Sequence, residues 1–168
     1  VPEHTTEPAG PTADLRTERL LLRSWTPEVA AAVLAGARGT GWADDFPADG
    51  DRVIAGLLAR EPGGPGWGRH GHRLLVERSS GLVVGGAGMF PEPGGPGLEI
   101  GYGVVPSRRG RGYAGEAAAA LVGLARADGV SRVVAGVDPG NPASVRVLIG
   151  LGMRHIGTVD GVERYLLA

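Results

Sequence analysis

The sequence predicts an α/β domain of three layers, with a mixed and mostly antiparallel sheet between helices. Three observations carry that expectation. Strand and helix patterns alternate in the order β α α β β β α β α β β from Leu20 to Leu167. A loop of glycine and arginine, Val104 to Glu116, joins a strand pattern to an Ala-rich helical pattern. Two alternating runs meet at Asp160-Gly161, a hairpin signal that closes the domain.

Each element has a local cause. Val1 to Asp14 is rich in Pro, Thr and Glu with few large apolar residues, so a mobile tail or docking arm is expected before a single domain over 15–168. Leu20 to Ser24 reads as the first strand, and Thr26-Pro27-Glu28 as a cap with proline at the first helical position. The helix runs on through Val29 to Ala37. After a loop from Gly39 to Pro47, a second helix starts at Asp49 or Asp51 and stops before Pro62. Glu61-Pro62-Gly63-Gly64-Pro65-Gly66 recurs as Glu92-Pro93-Gly94-Gly95-Pro96-Gly97, two turns between strands. Between them His72 to Glu77 and Leu82 to Phe90 alternate as strands joined at Ser79-Ser80-Gly81. Leu98 to Val105 makes the next strand. The long helix spans Tyr113 to Ala127, with Ala114, Ala118, Leu121 and Ala125 expected on its inward stripe. Val133 to Asp138 is a strand, Ser144 to Leu151 a short helix closed by Gly152, and Arg154 to Val159 pairs with Val162 to Leu167.

Composition narrows the function. At 168 residues, the chain is long enough for one domain with a proper core. Its formal net charge of -1 gives no broad field for nucleic acid or anionic membrane. Cysteine is absent, which removes disulfides and thiol nucleophiles and fits a reducing, cytoplasmic setting. All 17 basic residues are arginine, and the wealth of Gly and Pro fits a GC-rich bacterial genome. His70-Gly71-His72 is too isolated for a metal, which needs three or four converging ligands. No metal is expected.

The glycine–arginine loop carries the chemistry. A loop with few side-chain atoms ahead of a helix leaves the first-turn N–H groups open. With the helix dipole, they form a seat for phosphate. Arg108, Arg109 and Arg111 add charge that no neighbouring acid in sequence balances before Glu116. Two templates fit the letters. Gly110-x-Gly112-x-x-Gly115 is a literal dinucleotide fingerprint, with Asp138 at the end of a later strand. Against a nicotinamide oxidoreductase, Pro106 to Arg109 part the strand from the glycines, and only ~30 residues follow Asp138 for further βα units. The second template, Arg109-Gly110-Arg111-Gly112-Tyr113-Ala114, resembles the acyl-coenzyme A pyrophosphate loop of the GNAT superfamily of N-acetyltransferases.

Three further stretches carry the same resemblance in the same order. Leu98-Glu99-Ile100-Gly101-Tyr102-Gly103-Val104-Val105 looks like the family's fourth strand. Asn141-Pro142-Ala143-Ser144 looks like the start of the helix after its fifth strand, and Leu151-Gly152-Met153 resembles the signature that ends that helix. The strand and the helix start look most like the RimJ/RimL branch, which acetylates protein N-terminal amines and whose relatives modify small amines. The resemblance implies acetyl-CoA as co-substrate and a primary amine as acceptor, attacked directly without an acyl-enzyme. A coenzyme-binding sensor or partner domain of the same fold is the other reading. A homodimer is compatible with the tail and the final hairpin.

The resemblance also implies roles. Main-chain groups of Gly103, Val104 and Val105 would receive the acyl carbonyl and pantetheine arm. Arg109, Gly110, Arg111, Gly112, Tyr113 and Ala114 would hold the pyrophosphate. Asn141 would bond the pantetheine arm, and Ser144 would lie near the coenzyme sulfur, where it could protonate the leaving thiolate; both also suit the helix cap. Glu99 shares a strand face with Gly101 and Gly103 and is the expected base, since an amine arrives protonated and only its free form attacks a thioester. A solvent-facing strand acid is the alternative for Glu99, and a strand bulge for Gly103. Many members carry a tyrosine seven residues after the asparagine as general acid; here that position is Leu148. Trp42, Asp44, Asp45 and Phe46 lie where the family builds its acceptor site, and two acids beside aromatics suit a cationic amine.

Overall fold

The computed structural model describes residues 13–168, so the expected tail over Val1 to Asp14 lies outside the described residues except for its last two positions. One eight-stranded sheet organises the rest: β1 (Leu15–Arg16), β2 (Leu20–Ser24), β3 (Arg73–Glu77), β4 (Val83–Pro91), β5 (Leu98–Val104), β6 (Val133–Val137), β7 (Arg154–Val159) and β8 (Val162–Leu167). Their order across the sheet is β1-β2-β3-β4-β5-β6-β8-β7. Every neighbouring pair is antiparallel except β5 with β6. That parallel pair needs a crossover, and the helix α3 (Tyr113–Ala127) supplies it. The other helices are α1 (Pro27–Leu34), α2 (Asp49–Arg60) and α4 (Pro142–Gly150).

The element order is the expected one, with short additions. The two residues of β1 are too few to show alternation, and they exist by pairing Leu15 with Leu22 and Arg16 with Leu21. Two single 3₁₀ turns, Pro65–Trp67 and Pro106–Arg108, begin at prolines. Thr26 caps α1 by accepting from the Val29 N–H at 3.3 Å, with Pro27 at the first position. Asp160 stands at φ 50 and Gly161 at φ 77, the left-handed geometry of the closing hairpin.

Helices cover both sheet faces. Tyr113 donates its hydroxyl to Glu77 at 2.8 Å, which sets α3 on the face that carries Leu20, Leu22 and Leu75. Its buried stripe is Ala117, Ala118, Leu121 and Ala125; Ala114, expected on that stripe, is half-buried and turns to the cleft described below. Small residues there bring the helix backbone close to the strands. On the opposite face α2 stands over β4, and Asp51 reaches Gly86. Leu148 of α4 is fully buried, so Leu148→Ala should leave a cavity and cost about 2–5 kcal/mol of stability in a denaturant melt.

Candidate active site

The cleft begins where β5 and β6 separate. They pair only at Leu98 with Val133 and at Glu99 with Val134, although β5 continues to Val104 and β6 to Val137. In an antiparallel pair, successive residues turn their N–H groups to opposite edges. Val105 donates to the Val84 carbonyl at 2.9 Å, and Gly103 stands opposite Gly86, so these amides face β4. The N–H groups of Tyr102 and Val104 therefore face the gap left by β6. Of the three main-chain positions expected here, only Val104 presents its N–H to the gap. The pairing of β4 with β5 runs without a register shift, so Gly103 is no bulge; the register shifts lie between Leu75 and Val76 where β3 pairs β4, and between His155 and Gly157 where β7 pairs β8.

The glycine–arginine loop closes one end of the gap. Gly110 and Gly112 take φ values of 75 and 80, a left-handed backbone that glycine adopts without penalty. A Cβ on Gly110 or Gly115 would meet no atom within 4 Å, so the floor beside the first turn of α3 is open. The sheet supplies an acid that sequence proximity hid. Buried Glu77 accepts from Tyr113 Oη at 2.8 Å, Ser80 Oγ at 2.7 Å and Arg108 Nε at 3.2 Å, and pairs with Arg111 Nη1 at 3.4 Å. Burial alone would raise the Glu77 carboxyl, but the bonds from Ser80, Tyr113 and Arg108 outweigh it and hold the group below its ordinary value. Glu116 is occupied elsewhere, by Thr17 Oγ1 at 2.6 Å and by Arg19 Nε at 2.8 Å. Arg109 has no acid partner among the described residues; its Nε bonds the Val104 carbonyl at 3.0 Å.

The far wall is the start of α4. Asn141 caps it, its Oδ1 accepting from the Ser144 N–H at 3.2 Å, while both residues line the cleft. Tyr102 Oη reaches the Ser144 carbonyl at 3.3 Å, and burial raises this phenol above its usual range. Tyr102 thus puts a protonated hydroxyl beside Ser144, near the helix whose Leu148 lies in the core.

The loop between α1 and α2 divides. Trp42 and Phe46 pack edge to face at 5.1 Å and anchor it. Asp44 is exposed and pairs with Arg38 at 3.5 Å. Only Asp45 of the four expected acceptor residues lines the cleft, and its carboxylate accepts from Ser107 N at 2.7 Å and Ser107 Oγ at 2.8 Å. The bond from the Ser107 backbone is the main cause of its lowered pKa.

Glu99 is not brought together with these groups. It lies in the short stretch where β5 and β6 still pair, four residues or about 13 Å along the strand from Gly103. Its Oε1 accepts from Arg164 Nη1 at 2.8 Å, and it is absent from the cleft wall. Among the lining residues that sequence reasoning did not assign to the site are two titratable groups on the glycine-cleared face, Asp51 on α2 and His72 ahead of β3. Both stand over the face cleared by Gly86, Gly88, Gly101 and Gly103, which are cross-strand pairs. Those glycines were the available signal, readable only once the register of β4 against β5 is known. The cleft measures about 1310 Å³.

A model of the GNAT acetyltransferase domain matches residues 19–154. The chain belongs to the GNAT acetyltransferase family. A proposed GNAT-family acetyltransferase from Bordetella pertussis superposes with a TM-score of 0.69 at 28% identity, covering 93% of this chain and 99% of its own. A GNAT-family acetyltransferase from Bacillus anthracis gives 0.65 at 21%, with 92% and 96% covered. RimJ of Mycobacterium smegmatis, solved with CoA-disulfide, gives 0.57 at 25%, with 88% and 81% covered. No curated protein sequence matches. GNAT domains transfer acetyl from acetyl-CoA to amines. The open glycine floor, the unpaired first turn of α3 and the Val104 N–H at the gap fit that coenzyme. Among the described residues, no group of three or more His, Asp or Glu could hold a metal, and no helix is long and apolar enough to cross a membrane.

Asp51 is the strained group of this GNAT cleft. It is 6% exposed, and burial pushes its carboxyl from 3.8 up to about 6 against the opposing bond from the Ala48 N–H. Below pH 4 the group is protonated both folded and unfolded and costs nothing. As pH rises from 4 through 6 the folded chain keeps a proton that the unfolded chain releases, so stability falls across that window. The full cost, on the order of 2–3 kcal/mol, is present above it. Asp51→Asn should therefore melt at a higher temperature than wild type at pH 7.5, and the gap should close near pH 4 in thermal unfolding.

Proposed function

We propose that this chain is an acetyl-CoA-dependent N-acetyltransferase of RimJ/RimL type that acylates a primary amine by direct attack. The observation that carries the reading is the β5/β6 gap, with the Val104 N–H facing into it and the open glycine loop at its head. The strand Glu99-Ile100-Gly101-Tyr102 and the likeness to RimJ support the branch, whose members acetylate protein N-terminal amines.

Acetyl-CoA supplies an activated thioester that a free amine attacks directly. The chain's own groups position and stabilise. The loop from Gly110 to Ala114 takes the pyrophosphate on backbone N–H groups, with Arg109 and Arg111 adding charge. The Val104 N–H is aimed where the carbonyl oxygen gains charge, and one such donor is worth ~3–4 kcal/mol in the transition state. Asn141 keeps its amide NH₂ for the pantetheine arm while its oxygen caps α4. Ser144 and Tyr102 are the hydroxyls available to protonate the thiolate in place of the tyrosine replaced by Leu148. Asp45 holds the Pro106–Arg108 turn at the mouth of the cleft.

Calorimetric titration with acetyl-CoA, with NADH as control, tests this. Wild type is expected to bind acetyl-CoA in the micromolar range and to ignore NADH. Gly112→Glu places a carboxylate and a Cβ at φ 80 in the loop and is expected to abolish binding. Arg109→Ala is expected to weaken it about tenfold, roughly one charge-assisted contact. Binding of NADH without acetyl-CoA would overturn the assignment.

A further inference from the structure

We propose that Asp51, rather than Glu99, takes the proton from the acceptor amine, in the open space over Gly103. This rests on the acetyl-transfer reading above and names the residue that deprotonates the acceptor.

Position is the first argument. Gly86 and Gly103 are directly opposed across β4 and β5, so they share a face. Asp51 Oδ1 lies 2.8 Å from where a Cβ on Gly86 would stand, while a Cβ on Gly103 would meet nothing within 4 Å. The carboxylate thus borders an empty space one strand away from the Val104 N–H. Glu99 lies about 13 Å farther along the strand.

Bonding is the second argument. Asp51 Oδ2 accepts from the Ala48 N–H at 3.0 Å and completes the cap of α2. Oδ1 makes no hydrogen bond among the described residues. Buried carboxylates are ordinarily paired with a cation, and Asp51 has no ion pair among the described residues. The neighbouring Arg52 is engaged with the Pro47 carbonyl at 2.9 Å and with Asp49 at 3.5 Å. An arriving ammonium would supply the missing cation. Glu99 already has one in Arg164. His72, which also lines the cleft, is pushed down to about 4 by burial and stays neutral, with its Nε2 unpartnered among the described residues. Arg52 and Asp49 from α2, Asp45 from the preceding loop, Arg108 and Arg109 from the opposite turn, and Asp138 and Arg146 at the α4 side are the other charged residues lining the cleft; of these the Arg52 charge lowers the Asp51 carboxyl without overcoming its burial.

The step balances. R–NH₃⁺ gives one proton to Asp51 Oδ1. The freed lone pair forms the C–N bond to the acetyl carbon as the C–S bond breaks and its electron pair leaves on sulfur. The second proton lost from nitrogen converts thiolate to thiol, and Asp51 releases its own to solvent. A carboxyl titrating near 6 is ionised at neutral pH and is a stronger base than an ordinary aspartate.

The test compares wild type, Asp51→Asn and Glu99→Gln. Asparagine keeps an oxygen for the Ala48 N–H but cannot take a proton. Acetyl-CoA affinity is measured first by calorimetry. Turnover is then followed from pH 5 to 9 with spermidine, n-butylamine and a serine-led peptide. Asp51→Asn is expected to bind acetyl-CoA like wild type, lose about 100-fold or more in kcat/KM at pH 7, and recover part of it as rising pH frees the amine. Glu99→Gln is expected to stay within a few-fold of wild type. Retained turnover in Asp51→Asn, or the large loss in Glu99→Gln, overturns the proposal while leaving acetyl transfer intact. Failure of wild type to bind acetyl-CoA sinks the parent reading instead. A carbon-13 titration of the Asp51 carboxyl with and without n-butylamine needs no turnover. The amine is expected to lower its midpoint, and an unmoved midpoint at saturating amine overturns the proposal.

Discussion

Parallel strands β5 and β6 share two residue pairs and then part, leaving the remaining edge of β5 without a strand partner on that side among the described residues. Unpaired strand edges are exposed donors and acceptors that a fold must cover or use. Here the edge lines the cleft. The crossover helix α3 starts from the same strand, so its open first turn and the unpaired amides of Tyr102 and Val104 border one cleft. A single topological fact thereby brings to one cleft the groups proposed to seat phosphate and to meet the acyl carbonyl.

Holding that arrangement requires a stiff loop built from flexible residues. Glu77 provides it from β3, joining Tyr113, Arg108, Arg111 and Ser80 around one buried carboxylate. The glycines remain open to a ligand because rigidity comes from the flanking side chains instead. Asp45 does the same for the Pro106–Arg108 turn through Ser107. Asp51 stands in contrast. It is buried with one backbone N–H and no ion pair among the described residues, and the nearby Arg52 charge only partly offsets the burial, so its ionised form weakens the fold.

What could be read from the sequence divides along the same line. The glycine loop, the caps at Thr26 and Asn141 and the hairpin at Asp160-Gly161 depend on neighbours in the chain, and they were legible there. The two-residue β1 depends on its pairing with β2 and was not. Glu99 shows the limit of alternation: it fixes the face a side chain takes but not how far along the strand the ligand gap begins. The half-burial of Ala114 has the same origin, since helix periodicity does not tell core from cleft. Glu77, Asp51 and His72 belong to the site only through strand register and through the position of α2 over β4. No pattern around any of them announces that.

In the proposed reading the coenzyme lies in the β5/β6 gap against the outward amide of Val104. Amide proton–nitrogen shifts followed during titration with coenzyme A test it residue by residue. The expected result is large movement of Val104, Tyr102 and the first-turn amides Tyr113, Ala114 and Gly115, with Gly103 and Val105 changing far less because they are bonded to β4. Saturable binding that leaves Val104 unmoved, or that shifts Gly103 and Val105 instead, would contradict the account.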